Sequence, residues 1–458
     1  MLTNVREINQ KEFKSMAKFA IRNGGNIMVL GPSGGGKTII TKEAAAEEKC
    51  NMIYINLSVL ERTDFQGFPV ISDDRSLVSY ATPDFLPFAD TDIRDERNAL
   101  IAFRDSLSEK DKKNGDVLSF IGHRLEELQE KQNARALVNA APYIRKAPKS
   151  ALDRIKELAT VAQNNLGTDE PIVFLFDEVD KAATETTQTL LEVLQFGSVN
   201  GRKLNMKAAI LTGNLPDEHA HTNQISHAIS KRCLSFKMNL DFNMWREWAF
   251  KHDVYDHIIQ FLSTDPKYLY QSAPDGDPTA YALPSPRTWT TAAQHLKAFD
   301  EDSDFRRLGE ESALKFKMDI LAGHVGDAAT SKFRTWYQYY RRFDPAINAL
   351  VEHGTHPDIS KLKAEEILVM SIAACSRVYA ELKPKNNKKR IETVTKNVYS
   401  WLGTLNPDMQ MGAVRLSFGG DWENCHKYNL PSIPEFVKVF KGIKQKMGDW
   451  EVDLSPQK

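Results

Sequence analysis

The sequence predicts an α/β protein built on a parallel sheet and extended by long helical segments, and three observations carry that expectation. The stretch GPSGGGKT at 31–38 lies between an apolar run (Ile27, Met28, Val29, Leu30) and a run of helix formers over 38–48. A strand that passes through a glycine-rich loop into a helix and then into another apolar stretch, here 52–57, reads as a βαβ unit, whose parallel strands need both faces covered. Second, PIVFLF at 171–176 is a continuous apolar run of buried-strand length, and 208–212 is another. Third, after Leu240 the chain turns to helical periodicity, clearest over 244–261, 286–299 and 311–340.

Composition narrows the class. The 458 residues include 60 basic and 61 acidic side chains, a formal net charge of -1. Such a length supports two or three domains and a large core, which excludes a small disulfide-stapled scaffold. The balanced charge gives no global attraction for nucleic acid or an anionic membrane. Cys50, Cys233, Cys375 and Cys425 are scattered and form no metal-binding or disulfide pattern. The opening MLTNVREINQKEF is too polar for a secretory signal, and no stretch reaches the roughly 18 consecutive apolar residues of a membrane span, so a cytoplasmic protein is expected.

Along the chain, 11–23 carries Phe13, Met16, Phe19 and Ala20 at helical spacing and ends on Asn23-Gly24-Gly25, residues suited to a helix C-terminus. The first strand is expected over 26–30. Residues 64–88 read as a hairpin turning at Ser72-Asp73-Asp74-Arg75. From 91 to 169 the chain is charged, mixed in sign and poor in strand formers, which predicts a helical insertion. A helix is expected over 363–382, followed by a basic run at 385–390 and an aromatic-rich tail with no assignable elements. The expected domains are an α/β core over 1–90 and 171–240, the insertion over 91–170, a helical lid over 241–345 and a mostly helical C-terminal extension over 346–458.

The loop carries the first chemistry. Gly31, Pro32, Ser33, Gly34, Gly35, Gly36, Lys37 and Thr38 match the phosphate-binding pattern GxxxxGKT in its required setting, between strand and helix. Backbone N–H groups and the helix N-terminus can cradle phosphates, Lys37 brings positive charge to the β/γ oxygens, and the Thr38 hydroxyl can ligate Mg²⁺. FLFDEVDKA supplies the second half. Asp177 is placed for the Mg²⁺ shell and Glu178 for polarising the attacking water, because two carboxylates directly after six apolar residues serve no packing purpose. The extra glutamate points to hydrolysis of ATP rather than binding alone.

With these motifs in order, the chain resembles the AAA+ ATPases, and within them the MoxR-like group of the helix-2-insert clade, some members of which are encoded by phages. The hairpin around GFPV at 67–70 occupies the position of that clade's insert. LLEVLQFGSVNGRKLNMKAAILTGNLPD resembles the stretch after the acidic pair, with a hairpin near Val199-Asn200-Gly201-Arg202 and a polar sensor residue that matches Asn214. HAISKRCLSF resembles the segment carrying the arginine finger, which matches Arg232, with Lys231 the weaker candidate. LPSPRTW resembles the sensor 2 box, whose arginine matches Arg287, although Pro286 fits a helix start on stereochemical grounds alone. GHVGDAATSKF resembles a glycine-containing helix start in the lid. The segments 91–170 and 346–458 have no counterpart in the resemblance.

The resemblance implies a homo-oligomeric ring, a hexamer by expectation, that binds ATP and Mg²⁺ and remodels, assembles or activates a partner protein complex, often with a von Willebrand A domain adaptor. The alternative is a nucleic-acid motor or a nucleotide-dependent restriction subunit of the same clade, for which Arg202, Lys203, Lys207 and the 385–390 run speak. The neutral overall charge, and a sequence with no recognisable DNA-binding module, speak against it. A Ras-like GTPase is excluded by the absence of an Asn-Lys-x-Asp motif. LSFGGD at 416–421 resembles an ABC-transporter signature only superficially, since it follows the acidic pair instead of preceding it.

Overall fold

The computed structural model describes residues 5–71, 78–80, 83, 86–87, 101, 104, 118–119, 121–122, 125, 172–200, 202–215, 225–272, 282–382 and 388–447. The insertion expected over 91–170, apart from those few positions, lies outside the described residues, as do the hairpin turn at 72–75, Gly201 and residues 385–387 of the basic run. By their contacts the residues fall into two bodies, 1–32 with 36–239, and 33–35 with 240–458.

The first body is built on a six-stranded parallel sheet. Its strands are β1 (Arg6–Ile8), β2 (Gly25–Leu30), β3 (Asn51–Asn56), β6 (Ile172–Asp177), β9 (Met206–Gly213) and β10 (Leu234–Met238), in the spatial order β1-β10-β2-β9-β6-β3. Alternation across the pleat fills both faces. Met28, Leu30, Phe174, Phe176, Ala209 and Leu211 belong to one apolar cluster, while the intervening Ile27, Val29, Val173, Leu175, Ala208 and Ile210 are buried outside that cluster. Helix α1 (Gln10–Asn23) begins at a reciprocal cap: Asn9 Oδ1 accepts the Glu12 N–H at 2.9 Å and Glu12 Oε2 accepts the Asn9 N–H at 2.8 Å. It packs on α2 (Lys37–Glu47), the helix that leaves the glycine loop. Between them runs a ladder of charge, Lys14 to Glu43 and Glu47, Lys18 to Glu47 and Glu48, and Arg22 to Glu48.

The expected hairpin is present as β4 (Pro69–Ile71) paired antiparallel with β5 (Val78–Tyr80), preceded by a short helix, α3 (Arg62–Gln66). After β6 come α4 (Thr184–Phe196) and a second small hairpin, β7 (Ser198–Val199) with β8 (Arg202–Lys203). The turn α5 (His227–Ser230) then leads into β10. Two strands depart from the expectation. The first strand is Arg6–Ile8, ahead of the one expected at 26–30, and Leu234–Met238 forms a full strand between β1 and β2.

The second body is helical: α6 (Phe242–Lys251), α7 (Asp256–Thr264), α8 (Pro286–Glu301), α9 (Glu310–His353), α10 (Ala364–Glu381), α11 (Lys388–Leu402), α12 (Pro407–Val414), α13 (Trp422–Lys427) and α14 (Pro434–Met447). One apolar cluster runs through it from Trp245 to Ile443. The single helix expected over 244–261 is two, because the chain turns at Asp253, whose φ of 51° no α-helix interior adopts. The segment GHVGDAATSKF lies inside α9, where Gly326 (φ 79°, ψ 164°) kinks the helix and a new run starts. Among the described residues, no helix is long and apolar enough to cross a membrane.

Candidate functional site

Parallel strands collect their C-terminal ends on one edge of the sheet, and the loop, the acidic pair and the candidate sensor all lie on that edge. β2 delivers Leu30 into the loop, β6 ends on Asp177 and β9 ends on Gly213, one residue before Asn214. Because Phe176 pairs with Leu211 in the ladder, the next residues in register are Asp177 and Thr212. Thr212 is fully buried, and its hydroxyl donates to Asp177 Oδ1 at 2.6 Å.

The glycine loop turns sharply into α2. Gly36, the residue before the helix, has φ 90° and ψ 10°, a left-handed conformation that strains any residue with a Cβ. Lys37 follows, buried to 7% exposure, and its ammonium donates to the carbonyls of Gly31 at 2.8 Å and Pro32 at 2.9 Å. Thr38 is one residue into the helix, and its hydroxyl donates to Asp177 Oδ2 at 3.2 Å.

Asp177 is the hub. Oδ1 accepts from Thr212 and from the Glu178 N–H at 3.0 Å, while Oδ2 accepts from Thr38 and from the Tyr54 hydroxyl at 3.3 Å. Octahedral Mg²⁺ holds oxygens at 2.0–2.1 Å, so two neighbouring ligands lie about 2.9 Å apart. The Thr38 and Asp177 oxygens are spaced close to that, and an alcohol beside a carboxylate is the hard donor pair that Mg²⁺ takes. These two residues fit the ion.

Glu178 has φ 58° and ψ 40°, left-handed backbone in a residue with a full side chain. Such strain persists only where the surroundings impose it, and it re-aims the side chain away from the strand direction. Its carboxylate pairs with Lys181 at 3.1 Å, both partly exposed. Asn214 is 8% exposed, and its backbone N–H donates to Asp180 Oδ1 at 3.0 Å.

Of the two candidate arginines, Arg232 lies away from this edge, while Arg287 lies beside Gly34, where an added Cβ would fall 3.1 Å from Arg287 Cβ. Arg232 stands between α5 and β10, with Nη1 donating to the Ala228 carbonyl at 2.8 Å and Nη2 to Gln195 Oε1 at 2.6 Å. Leu234 is paired with Ile27, and the Asn26 carboxamide donates to the Arg232 carbonyl at 3.0 Å, so Arg232 sits at the N-terminal edge of the sheet. Arg287 belongs to the second body, exposed at the second position of α8. That helix starts where expected: Ser285 Oγ accepts the Thr288 N–H at 3.1 Å, and Pro286 takes the first helical position.

Sequence reasoning missed Thr212, Tyr54 and Asp180. Only Asp180 had a readable signal, as the third carboxylate of DEVD; Thr212 and Tyr54 become visible once the β3-β6-β9 register is known.

The parallel α/β core and the family to which part of the chain is similar support a nucleotide-dependent ATPase. Residues 27–224 match the family model described as ATPase family associated with various cellular activities (AAA), a span that takes in the loop, Asp177, Glu178 and Asn214. The match supports an AAA+ ATPase. No curated protein matches the chain.

Proposed function

We propose that this protein is an ATP-hydrolysing ring, of the MoxR-like kind and hexameric, that remodels or assembles a partner protein complex. The observation that carries the ring is the position of Arg232. By the β10-β2 register it lies level with Gly25, six residues before Gly31, which at about 3.3 Å per residue is roughly 20 Å from the start of the glycine loop. No arginine side chain spans that distance, so Arg232 serves a nucleotide only on a neighbouring copy.

In this reading the loop N–H groups and Lys37 hold the phosphates of ATP, Lys37 exchanging its two carbonyl partners for phosphate oxygens. Thr38 and Asp177 hold Mg²⁺, which supplies charge neutralisation at the phosphates. Glu178 leaves Lys181 and accepts a proton from the attacking water as that water bonds to the γ-phosphorus and the bond to the ADP oxygen breaks. Asn214 orients the water. Arg232 of the adjoining copy and Arg287 stabilise the charge that develops on the γ-phosphoryl group.

The hairpin β4-β5 favours a protein client. Phe68 and Ile71, each 63% exposed, with Val70 and Tyr80, present apolar side chains to solvent, the surface expected of a contact for polypeptide. On the second hairpin the Lys203 ammonium is held by the Phe196 carbonyl. A von Willebrand A domain adaptor would fit the same scheme.

The test mixes two inactive proteins. Glu178→Gln should bind ATP and hydrolyse it at least ~100-fold more slowly, and Arg232→Ala should bind and fail to hydrolyse. Mixed rings should recover part of the activity, because some interfaces join an intact Glu178 to an intact Arg232. Full activity in Arg232→Ala alone, or no recovery in rings shown by mass to be mixed, would refute the shared site. Steep, salt-sensitive stimulation by DNA would redirect the client assignment to nucleic acid.

A further inference from the structure

Asp180 is costly where it stands. It lies in the turn Val179–Lys181 with 1% of its surface exposed; Oδ1 accepts the Asn214 N–H, and Oδ2, also buried, has no hydrogen-bond partner among the described residues. A buried carboxylate with half its capacity unmet is disfavoured relative to an apolar residue of similar size, which would pack there without the desolvation cost. It is also closely enclosed. A Cβ at Gly213 would fall 2.7 Å from Asp180 Oδ1, 2.9 Å from Leu30 Cδ2 and 3.1 Å from Val179 Cγ1, so Asp180 is pressed against the end of β9. The Gly213 carbonyl in turn accepts the Gly31 N–H at 3.2 Å. One carboxylate thereby links the turn after Glu178, the backbone of Asn214 and the entry to the glycine loop.

We propose that Asp180 is a positioning residue for hydrolysis: it is too deeply buried to meet nucleotide, and it acts by fixing the backbone of Asn214 so that the Asn214 carboxamide is held against the γ-phosphate and the attacking water. This rests on the proposed sensor role of Asn214. A carboxylate suits the task because its hydrogen bond to the N–H is charge-assisted, stronger and more directional than a neutral one. Small displacements of a group that orients a reactant are expensive in rate while binding of the rest of the nucleotide is untouched.

Four variants of the full chain test this: Asp180→Ala, Asp180→Asn, Asn214→Ala and the double variant Asp180→Ala/Asn214→Ala. Steady-state ATP hydrolysis, affinity for a fluorescent ATP analogue and thermal melting are measured on each. Asp180→Ala should lower kcat about tenfold or more while KM and nucleotide affinity stay within about twofold. Asp180→Asn, which keeps an oxygen to accept the Asn214 N–H, should regain most of the rate. The double variant should be no slower than Asn214→Ala. A purely structural role would lower melting temperature, affinity and kcat together without rescue by asparagine, and would overturn the proposal, as would equal slowing by Asp180→Ala with and without Asn214. Normal turnover in Asn214→Ala removes the sensor reading and with it the route by which Asp180 acts. Normal turnover in Asp180→Ala beside a slowed Asn214→Ala removes the positioning role alone.

Discussion

Replacing Thr212 by valine removes one donor from Asp177 and keeps the shape of a fully buried side chain. That donor makes the shortest of the four hydrogen bonds to the carboxylate, 2.6 Å against 3.0, 3.2 and 3.3 Å. A hydrogen bond to a charged group contributes about 1.5–3 kcal/mol. Asp177 is partly exposed, so water compensates some of the loss, and about 1–2 kcal/mol remains, a factor of roughly 5–30. The loss falls on the orientation of the carboxylate proposed to hold Mg²⁺, where outer partners commonly matter by about 10–100-fold. Hydrolysis measured against Mg²⁺ at fixed ATP should show the half-activating concentration of Thr212→Val raised by about 5–30-fold. Thr212→Ser, which keeps the hydroxyl, should stay near the native curve. A folded Thr212→Val protein with an unchanged Mg²⁺ curve would refute the role of this bond, and a serine variant as impaired as valine would assign the effect to the methyl group.

Two further perturbations probe the core under the site. Gly213→Ala forces a Cβ within 2.7–3.1 Å of side-chain atoms of Asp180, Leu30 and Val179, all buried; overpacking of about 1–3 kcal/mol should lower the melting temperature by about 2–10 °C, and an unchanged melt would show that the end of β9 is looser than its contacts imply. Glu47, hydrogen-bonded to Lys14 and Lys18, has its carboxyl held down to about 2, well below its ordinary value. A depressed folded-state pKa means that the ladder between α1 and α2 is at full strength above about pH 5 and fades as pH falls toward 2. The melting temperature of Glu47→Gln should therefore lie below native at pH 6, and the gap should narrow below about pH 5 and close only as pH falls through about 2; a gap that widens in acid would reverse the sign of the argument.

The elements legible in the sequence were those whose burial leaves an unbroken signature. β6 and β9 are buried on both faces and read as apolar runs. β1 is three residues with only Ile8 buried, and β10 has one buried residue, Met238, so neither shows a strand pattern until β10 pairs with β2 and β1 with β10. The glycine loop and the Asp177-Glu178 pair were legible because their chemistry is local. Thr212 and Tyr54 act across strands, and a threonine at the end of AAILT or a tyrosine within NMIYIN is indistinguishable from ordinary strand composition. In the C-terminal part the helix expected over 363–382 is present as α10, although every residue from Val369 to Ser376 is buried; the aromatic-rich tail with no assignable elements folds as α11 to α14.

That enclosure of α10 gives the segment after 345 an evolutionary constraint. The helix packs on α7, α9, α11 and α12 at once, so residues on either side of position 345 fill one another's spaces. A sequence that ends at 345 would uncover the sides of α7 and α9 that pack on α10. A foreign domain joined there would need its own matching face for them. The segment after 345 cannot be exchanged between relatives as a cassette; it and the helices before it must change together, substitution answering substitution, and paired variation across that boundary is the trace such a history leaves.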